Sequence, residues 1–415
     1  MKKYIFFIRE YNDWDNIAPI IYYLSKNSHS KICICFYRKD LRNNDIYKYI
    51  QERAGKNLEV FFCKEKKLTT IANFAITIIN KVLRIFKFGI QYKTNENVPK
   101  KLLKNWFNTM NLKKYSKVIC IFDRTLNPVL ETVYDEMKGF NSIFVSCPHG
   151  PMTNVNRMMY KNQIKILNNF ESLRVENKEE LNKFFQFFNY IVFTDHLELN
   201  FNKIYCLPIE GDNENKSKIK VLGSIRYCKE WLTHIENFTT KFLKKKKDNI
   251  KIVFFMKKFQ HNVFKNEIYR TIKIFTMFPN IDFYIKPHTR GMKFSSKYSA
   301  PNIHIDYDSS SSFLINMADV IFFHGGTSII LEALAKKKLI VCLDYLDSNI
   351  NIYDHYDACQ VLRCIDDLCF FLSSDIPNKI KNNKYSGENV LKQIVYSGRN
   401  SVSVPDEYIN FFNNL

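Results

Sequence analysis

The chain has 415 residues, of which 46% are hydrophobic and 25% charged, a size and composition that suit roughly two to three globular domains with buried cores. Gly and Pro number only 11 each, which excludes a collagenous, linker-rich or extensively disordered protein. The 62 basic residues exceed the 41 acidic ones and give a net charge of +21, which favours polyanionic partners: nucleic acid, anionic lipid or phosphate-bearing small molecules.

The first apolar run, at residues 4–8, is too short for the hydrophobic region of a signal peptide, so we expect a cytoplasmic protein. The 11 cysteines are spread along the chain, many of them in apolar runs such as residues 32–36. No Cys-x-x-Cys pair occurs, which disfavours a structural zinc site. We interpret the cysteines as reduced core residues.

Short apolar runs alternate with helical segments along the whole chain. They lie at residues 4–8, 32–36, 60–63, 118–122, 143–147 and 190–193, and then at 220–222, 252–256, 283–285, 320–323 and 339–343. Continuous hydrophobicity is typical of strands that are buried on both faces of a parallel sheet. The sequence therefore predicts an α/β protein with two sets of parallel strands.

A polar stretch at residues 208–218 separates the two sets of strands and is the best linker candidate. We predict two Rossmann-like domains, residues 1–215 and 216–387, that face one cleft. Residues 388–415 are helical and are a candidate for packing back across the junction. Ligands of parallel sheets collect at the carboxyl ends of the strands, so the loops after the strands matter most.

Residues 68–90 form a long apolar stretch with polar and basic residues at spacings of three and four. Two interpretations stay open: a helix that covers the sheet, or an interfacial helix that docks to a membrane surface or a partner. Lys81, Arg84 and Lys87 argue against a transmembrane span. The four lysines at residues 244–247 are typical of a solvated helix end.

The strand at residues 220–222, interpreted as the first of the second half, ends in Gly223 and Ser224. We expect these two residues to bring backbone and hydroxyl close to a ligand across the cleft. Arg226 follows and can reach an anion.

Lys286, His288 and Arg290 alternate along an extended segment after a later strand, because Pro287 disfavours helical backbone at the residue before it. Three cationic or donor groups at a strand end can neutralise a phosphate and stabilise a leaving group. The alternative is a basic surface loop.

The strand at residues 320–323 leads into Gly325, Gly326, Thr327 and Ser328, with Thr327 or Ser328 expected to cap the next helix. Free amides at a helix start, with two hydroxyls beside them, suit a nucleotide phosphate. Glu332, in the first turns of that helix, can accept hydrogen bonds from a ribose diol. The alternative is an ordinary strand-to-helix turn with a dipole-compensating acid.

Taken together, three motifs in this order resemble the carboxyl-terminal half of bacterial GT-B transferases of surface-polysaccharide assembly. The motifs are Gly223-Ser224-Ile225-Arg226-Tyr227, Lys286-Pro287-His288-Thr289-Arg290, and Gly325-Gly326-Thr327-Ser328 with Glu332. The chain resembles capsule and lipopolysaccharide transferases that use CMP-activated acidic sugars, and CDP-glycerol glycerophosphotransferases. In those families a His-Pro motif and a Ser/Thr pair hold the cytidylyl phosphate; here the order is reversed, as Pro287-His288. The resemblance covers residues 219–360.

In this fold the first domain binds the acceptor, and His149 lies there at a strand end, in Cys147-Pro148-His149-Gly150. The resemblance to glycerophosphotransferases supports His149 as the base that deprotonates an acceptor hydroxyl, a role that suits the ordinary pKa of histidine. A structural turn residue is the alternative. Asp13, Asp15 and Asp123 are rival bases.

The resemblance implies an inverting, metal-independent glycosyltransferase without a cofactor. It would move a sugar from a CMP- or CDP-linked donor to a surface polysaccharide or lipid-linked glycan, at the inner face of an anionic membrane. Alternatives are a CDP-glycerol-type polyol-phosphate transferase and a UDP-sugar 2-epimerase of the same fold. A nucleic-acid-binding protein is disfavoured, because the basic residues converge at strand ends.

Overall fold

A computed structural model describes most of the chain. The described residues are 1–26, 30–37, 41, 44–62, 97–124, 129–151, 153, 186–199, 218–239, 249–257, 263–288, 300–347, 351–400 and 402–415. The apolar stretch at residues 68–90, the lysines at 244–247, residues 208–217 and Arg290 lie outside them.

Seven described strands form the first sheet, in the order β3-β2-β1-β4-β5-β6-β7, and all their pairings are parallel. The strands are β1 (Lys2–Ile8), β2 (Ser30–Phe36), β3 (Leu58–Phe62), β4 (Lys117–Asp123), β5 (Ser142–Cys147), β6 (Tyr190–Phe193) and β7 (Ile219–Val221). The central strands are buried on both faces, which explains their continuous hydrophobicity.

Six described strands form the second sheet, in the order β10-β9-β8-β11-β12-β13, again parallel throughout. They are β8 (Ile250–Phe255), β9 (Ile281–Lys286), β10 (Ile303–Ile305), β11 (Val320–Phe323), β12 (Leu339–Leu343) and β13 (Gln360–Leu362). The sequence did not indicate β10 or β13, because these edge strands are three residues long and only partly buried. The α/β class with two parallel sheets is confirmed.

The strand near residue 220 belongs to the first sheet, so its assignment to the second half is wrong. Phe193 of β6 pairs with Val221 of β7, and the chain leaves this sheet only after Val221. A run of three residues contains too little pattern to show which sheet it joins. The domain boundary near residue 215 stays a prediction.

Helices cover both sheets. They are α1 (Tyr11–Ser25), α2 (Asp45–Ala54), α3 (Asn97–Thr109), α4 (Leu130–Met137), α5 (Lys229–Thr239), α6 (Lys265–Phe275), α7 (Ser311–Met317), α8 (Ile329–Ala335), α9 (Ile352–His355), α10 (Ile365–Ser373), α11 (Ile376–Lys381), α12 (Glu388–Ile394) and α13 (Val404–Asn414). One hydrophobic cluster runs through both halves and includes Trp14 of α1, Trp231 of α5 and Phe323 of β11. No helix within the described ranges has the length and hydrophobicity that crossing a membrane requires.

The last helix, α13, packs on the first half of the chain. The Tyr4 hydroxyl of β1 donates to the Phe412 carbonyl at 3.1 Å, and the two rings meet edge to face. The Tyr408 hydroxyl donates to the Gly223 carbonyl at 3.0 Å. The carboxyl-terminal segment therefore holds the turn that follows β7.

Gly223 is tightly enclosed by this segment. Its φ is +96°, and a Cβ atom there would lie 2.6 Å from the Val395 carbonyl oxygen and 3.0 Å from a Val404 methyl group. Protein atoms fill the space beside its α-carbon, and the expected approach of Gly223 to a ligand stays a prediction.

Gly223→Ala is expected to lower the free energy of unfolding by about 2 kcal/mol or more, because the new methyl group meets a backbone carbonyl at a φ that alanine disfavours. Gly139→Ala is the control, since a Cβ at Gly139 has no heavy atom within 4 Å. Denaturant unfolding of both variants measures the difference. Equal effects would show that the fold does not depend on this close packing.

Candidate functional site

A cavity of about 300 Å³ lies where the carboxyl-end loops of the two sheets face each other. The first half contributes the start of α1 and the loop after β5, including Asn16 and His149. The second half contributes the ends of β8 and β9 and the starts of α7 and α8, including His288, Thr327 and Ser328. Open parallel sheets bind their ligands at this edge.

His149 is the centre of a polar cluster on the first half. Its Nδ1 lies 2.7 Å from Oδ2 of Asp123, which ends β4, and 3.9 Å from Oδ1 of Asp13 in α1. A hydrogen bond from Nδ1 to an ionised carboxylate leaves Nε2 as the ring nitrogen that can accept a proton. Asn16 fixes the backbone, because its side-chain amide donates to the His149 carbonyl at 2.6 Å.

His149 lies together with two of the residues predicted as rival bases, Asp13 and Asp123. Both carboxyl groups are buried, whereas 37% of the His149 side chain is exposed. Neither aspartate lines the cavity among the described residues, but His149 does. Burial and the neighbouring Asp123 raise the pKa of Asp13 to about 6.

This cluster is also the one group of described residues in which three atoms of metal-ligating type lie within 4.8 Å of one another. The 2.7 Å separation of Nδ1 and Oδ2 fits a hydrogen bond between the imidazole and the carboxyl group. Metal independence stays a prediction.

Asp15, the third rival, belongs to a buried ion network around Arg226. The Arg226 Nε lies 2.9 Å from a carboxylate oxygen of Asp15 in α1. The Arg226 Nη2 donates to a carboxylate oxygen of Glu332 in α8 at 3.5 Å. Glu332 also accepts from the Ser312 hydroxyl at 3.0 Å and lies 3.3 Å from the Lys336 ammonium. The network joins a helix of the first half to a helix of the second.

Arg226, Glu332 and Ser224 do not line the cavity within the described part of the chain. Arg226 and Glu332 neutralise each other, and the Ser224 amide donates to the Val395 carbonyl at 2.8 Å. Their expected contacts with a donor therefore stay predictions. Sequence identified the residue types at this edge but not the directions of their side chains.

The turn before α8 combines an expected feature with an unexpected one. Thr327 and Ser328 line the cavity, and Ser328 is the N-cap residue of α8. The expected side-chain cap is wrong for Ser328, because no capping hydrogen bond forms. Its hydroxyl instead accepts from the Tyr227 hydroxyl at 3.0 Å. Tyr227, which sequence reasoning missed, also lines the cavity.

Gly325 is required by the packing behind this turn. Its φ is +60°, and a Cβ there would lie 2.3 Å from a carboxylate oxygen of Asp347. Asp347 also lies 3.6 Å from Nδ1 of the fully buried His324 and 3.4 Å from the Lys257 ammonium. Gly325 and Gly326 do not reach the cavity lining among the described residues, so their direct contact with a donor stays a prediction.

Lys286 and His288 both line the cavity, but they differ in what their side chains contact. The Lys286 ammonium donates to the carbonyls of Tyr307, at 3.0 Å, and Ser309, at 2.6 Å. Burial lowers the pKa of Lys286. The binding of a phosphate by Lys286 stays a prediction. It is disfavoured because the ammonium already donates to two backbone carbonyls.

No protein-family model matches the sequence, and no curated protein sequence matches it significantly. Solved structures do have similar folds. UDP-GlcNAc 2-epimerase from Neisseria meningitidis, bound to UDP-GlcNAc, is 10% identical, with a TM-score of 0.55 and coverage of 100% of this chain and 99% of that chain. The glycosyltransferase of kitacinnamycin is 9% identical, with a TM-score of 0.54 and coverage of 100% and 99%.

A putative UDP-N-acetylglucosamine 2-epimerase from Listeria monocytogenes is also 9% identical, with a TM-score of 0.52 and coverage of 99% of this chain and 94% of that chain. At such low identity these similarities establish the architecture alone. The chain has the GT-B-like fold that its sequence predicted.

Arg226→Leu is expected to lower the free energy of unfolding by about 3 kcal/mol, because it leaves Glu332 buried without its guanidinium partner. Adding Glu332→Gln should recover part of that loss. Arg270→Leu is the control, since Arg270 forms an exposed ion pair with Glu267 that contributes less than about 1 kcal/mol. If Arg226→Leu and Arg270→Leu lower the free energy of unfolding equally in denaturant titrations, the network does not stabilise the junction of the two halves.

Proposed function

We propose that this protein is an inverting glycosyltransferase in which His149, oriented by Asp123, deprotonates an acceptor hydroxyl. The observation that carries the proposal is the 2.7 Å contact between His149 Nδ1 and Asp123, with His149 lining a cavity whose opposite wall contains His288, Thr327 and Ser328. Base and donor-binding groups thus face each other across one cavity.

The chemistry follows from this arrangement. Asp123 accepts from Nδ1 and so keeps the lone pair at Nε2, which takes the proton of the acceptor hydroxyl. The acceptor oxygen forms a bond to the anomeric carbon as the bond from that carbon to the donor phosphate oxygen breaks. Asp123 then stabilises the imidazolium, as in other histidine–carboxylate pairs.

The leaving nucleotide gains negative charge as this bond breaks, and the second half of the chain would stabilise it. The hydroxyls of Thr327 and Ser328, with the His288 imidazole, are the polar groups of the cavity suited to that role. Arg290 would join them through the motif resemblance. No metal is needed in this scheme, so activity is expected to persist in EDTA.

A cytidine nucleotide as donor carrier rests on the resemblance of the motifs around His288 and Ser328. A surface polysaccharide or lipid-linked glycan as acceptor rests on the same resemblance. The net charge of +21 supports transient contact with anionic headgroups at the inner face of a membrane. A polyol phosphate in place of the sugar is compatible with the same site.

A UDP-sugar 2-epimerase is the second candidate, favoured by the two carboxyl groups of Asp13 and Asp123 beside the cavity. An epimerase would convert a UDP-sugar without any acceptor. Incubation with UDP-GlcNAc alone, followed by NMR of the sugar, separates the two activities.

His149→Ala is expected to reduce sugar transfer about 100-fold or more while cytidine-nucleotide binding persists, because the other half supplies the donor site. Asp123→Asn should also reduce transfer, since it removes the carboxylate that orients the imidazole. His196→Ala is the control, an exposed histidine of the same half. Nucleotide release from CMP-, CDP- and UDP-linked sugars, with calorimetry and a melting curve, measures all three. Near-normal transfer by a folded His149→Ala protein would contradict the assignment of His149 as the base.

Ser328→Ala is expected to weaken cytidine-nucleotide binding by about 1 to 2 kcal/mol, the scale of a hydrogen bond to a charged group. Tyr227→Phe is the matched variant, because it removes the hydrogen bond between the two hydroxyls but keeps Ser328. Calorimetry should find Tyr227→Phe closer to the wild type. If Ser328→Ala binds CMP and CDP as the wild type does, Ser328 is not a donor ligand.

A further inference from the structure

Asp13 is held in a fixed position beside the proposed base. It is the third residue of α1, and its Oδ2 accepts from the backbone amides of Arg9, at 3.0 Å, and Glu10, at 3.2 Å. The residue is 1% exposed. Its other oxygen, Oδ1, makes no hydrogen bond among the described residues and lies 3.9 Å from Nδ1 of His149.

Charged groups from three loops surround Asp13. Arg9 and Glu10 precede α1, Asp123 ends β4, and His149 follows β5. Burial and the nearby Asp123 disfavour the ionised form of Asp13, whereas Arg9 and the two amides favour it. With a pKa of about 6, Asp13 is a carboxylate above that pH and a neutral acid below it.

We propose that Asp13 is a positioning residue that raises the basicity of His149 by placing a second negative charge beside its Nδ1. This inference rests on the proposed function of His149 as the base. Asp13 does not itself take the acceptor proton, because its carboxyl is buried and does not line the cavity within the described residues. The proton of the acceptor moves to Nε2 of His149, and the proton on Nδ1 stays hydrogen-bonded to Asp123.

A carboxylate about 4 Å from an imidazole typically raises the proton affinity of that imidazole at least tenfold. The coupling is reciprocal, so protonation of Asp13 on acidification weakens the affinity of His149 for its own proton. The acid limb of the pH–rate profile should therefore be broader than the titration of a single group.

Asp13→Asn tests this inference because Asn keeps an oxygen that can accept from both amides while it removes the charge. The acid limb of kcat/KM is expected to move to lower pH by about one pH unit and to narrow to a single titration. Asp45→Asn is the control, an exposed aspartate in the first turn of α2. An unchanged acid limb would overturn the proposal, and so would loss of activity at every pH in a folded Asp13→Asn protein.

The same coupling is measurable without any substrate. In an NMR titration of the His149 imidazole, assigned with His149→Ala, Asp13→Asn should lower the midpoint by about one pH unit. An unchanged midpoint overturns the inference about Asp13. A shifted midpoint in a protein that transfers no sugar would leave the coupling intact and refute only the proposed function.

Stability gives a third readout, with the sign fixed by linkage. The pKa of Asp13 is raised from 3.8 to about 6 on folding, so the folded state binds the Asp13 proton more tightly than the unfolded state does. The free energy of unfolding therefore falls as pH rises from about 4 to about 6. Asp13→Asn should therefore melt at a higher temperature than the wild type at pH 7, and the gap should close toward pH 4. Stabilisation of the wild type, but not of Asp13→Asn, by MgCl2 or MnCl2 would show that the cluster holds a cation instead and would overturn the proposal.

Discussion

A buried guanidinium joins the two halves of the chain. Arg226 lies in the turn after β7 and reaches both Asp15 of α1 and Glu332 of α8. Asp13, which lies beside His149, is on the first of these helices, and Ser328 is the N-cap residue of the second. A small rotation between the halves would separate these charges in a medium of low polarity, at a cost that exposed ion pairs do not have. The network therefore holds the helix that contains Asp13 in place relative to the turn that contains Ser328.

The order of the strands explains why Asp13, Asp123 and His149 lie together. β1, β4 and β5 are neighbours in one parallel sheet, so their carboxyl ends converge; Asp13 lies in the first turn of the helix after β1, Asp123 ends β4 and His149 follows β5. Each residue comes from a different part of the sequence, and only the pairing of β4 with both β1 and β5 brings them together. Burial of the Asp13 carboxyl here disfavours its ionised form, as its raised pKa indicates. Such local cost is typical of sites that are shaped for chemistry rather than for stability.

Sequence patterns predicted the fold well where burial is complete and poorly where it is partial. The buried central strands, such as β1 and β11, appear as continuous apolar runs, whereas β10 and β13 do not. The same limit applies to the site. His149 and Ser328 were identified because they follow strands, and the cavity confirms that they lie on its wall. The directions of Lys286 and Glu332 depend on partners such as the Tyr307 carbonyl and Arg226, which are distant in sequence.

The similarity to both epimerases and a glycosyltransferase reflects what this architecture has in common rather than a shared reaction. In this chain two parallel sheets present their carboxyl edges to one cavity, and open parallel sheets bind their ligands at that edge. We propose that the reaction depends on the first half, which presents His149 to this cavity. In this chain the cavity lining of the first half includes the His149 imidazole and Asp15, whereas Asp13 and Asp123 do not line the cavity among the described residues. An imidazole on this wall suits removal of a hydroxyl proton, which is the role that we propose for His149, with Asp13 and Asp123 tuning its basicity.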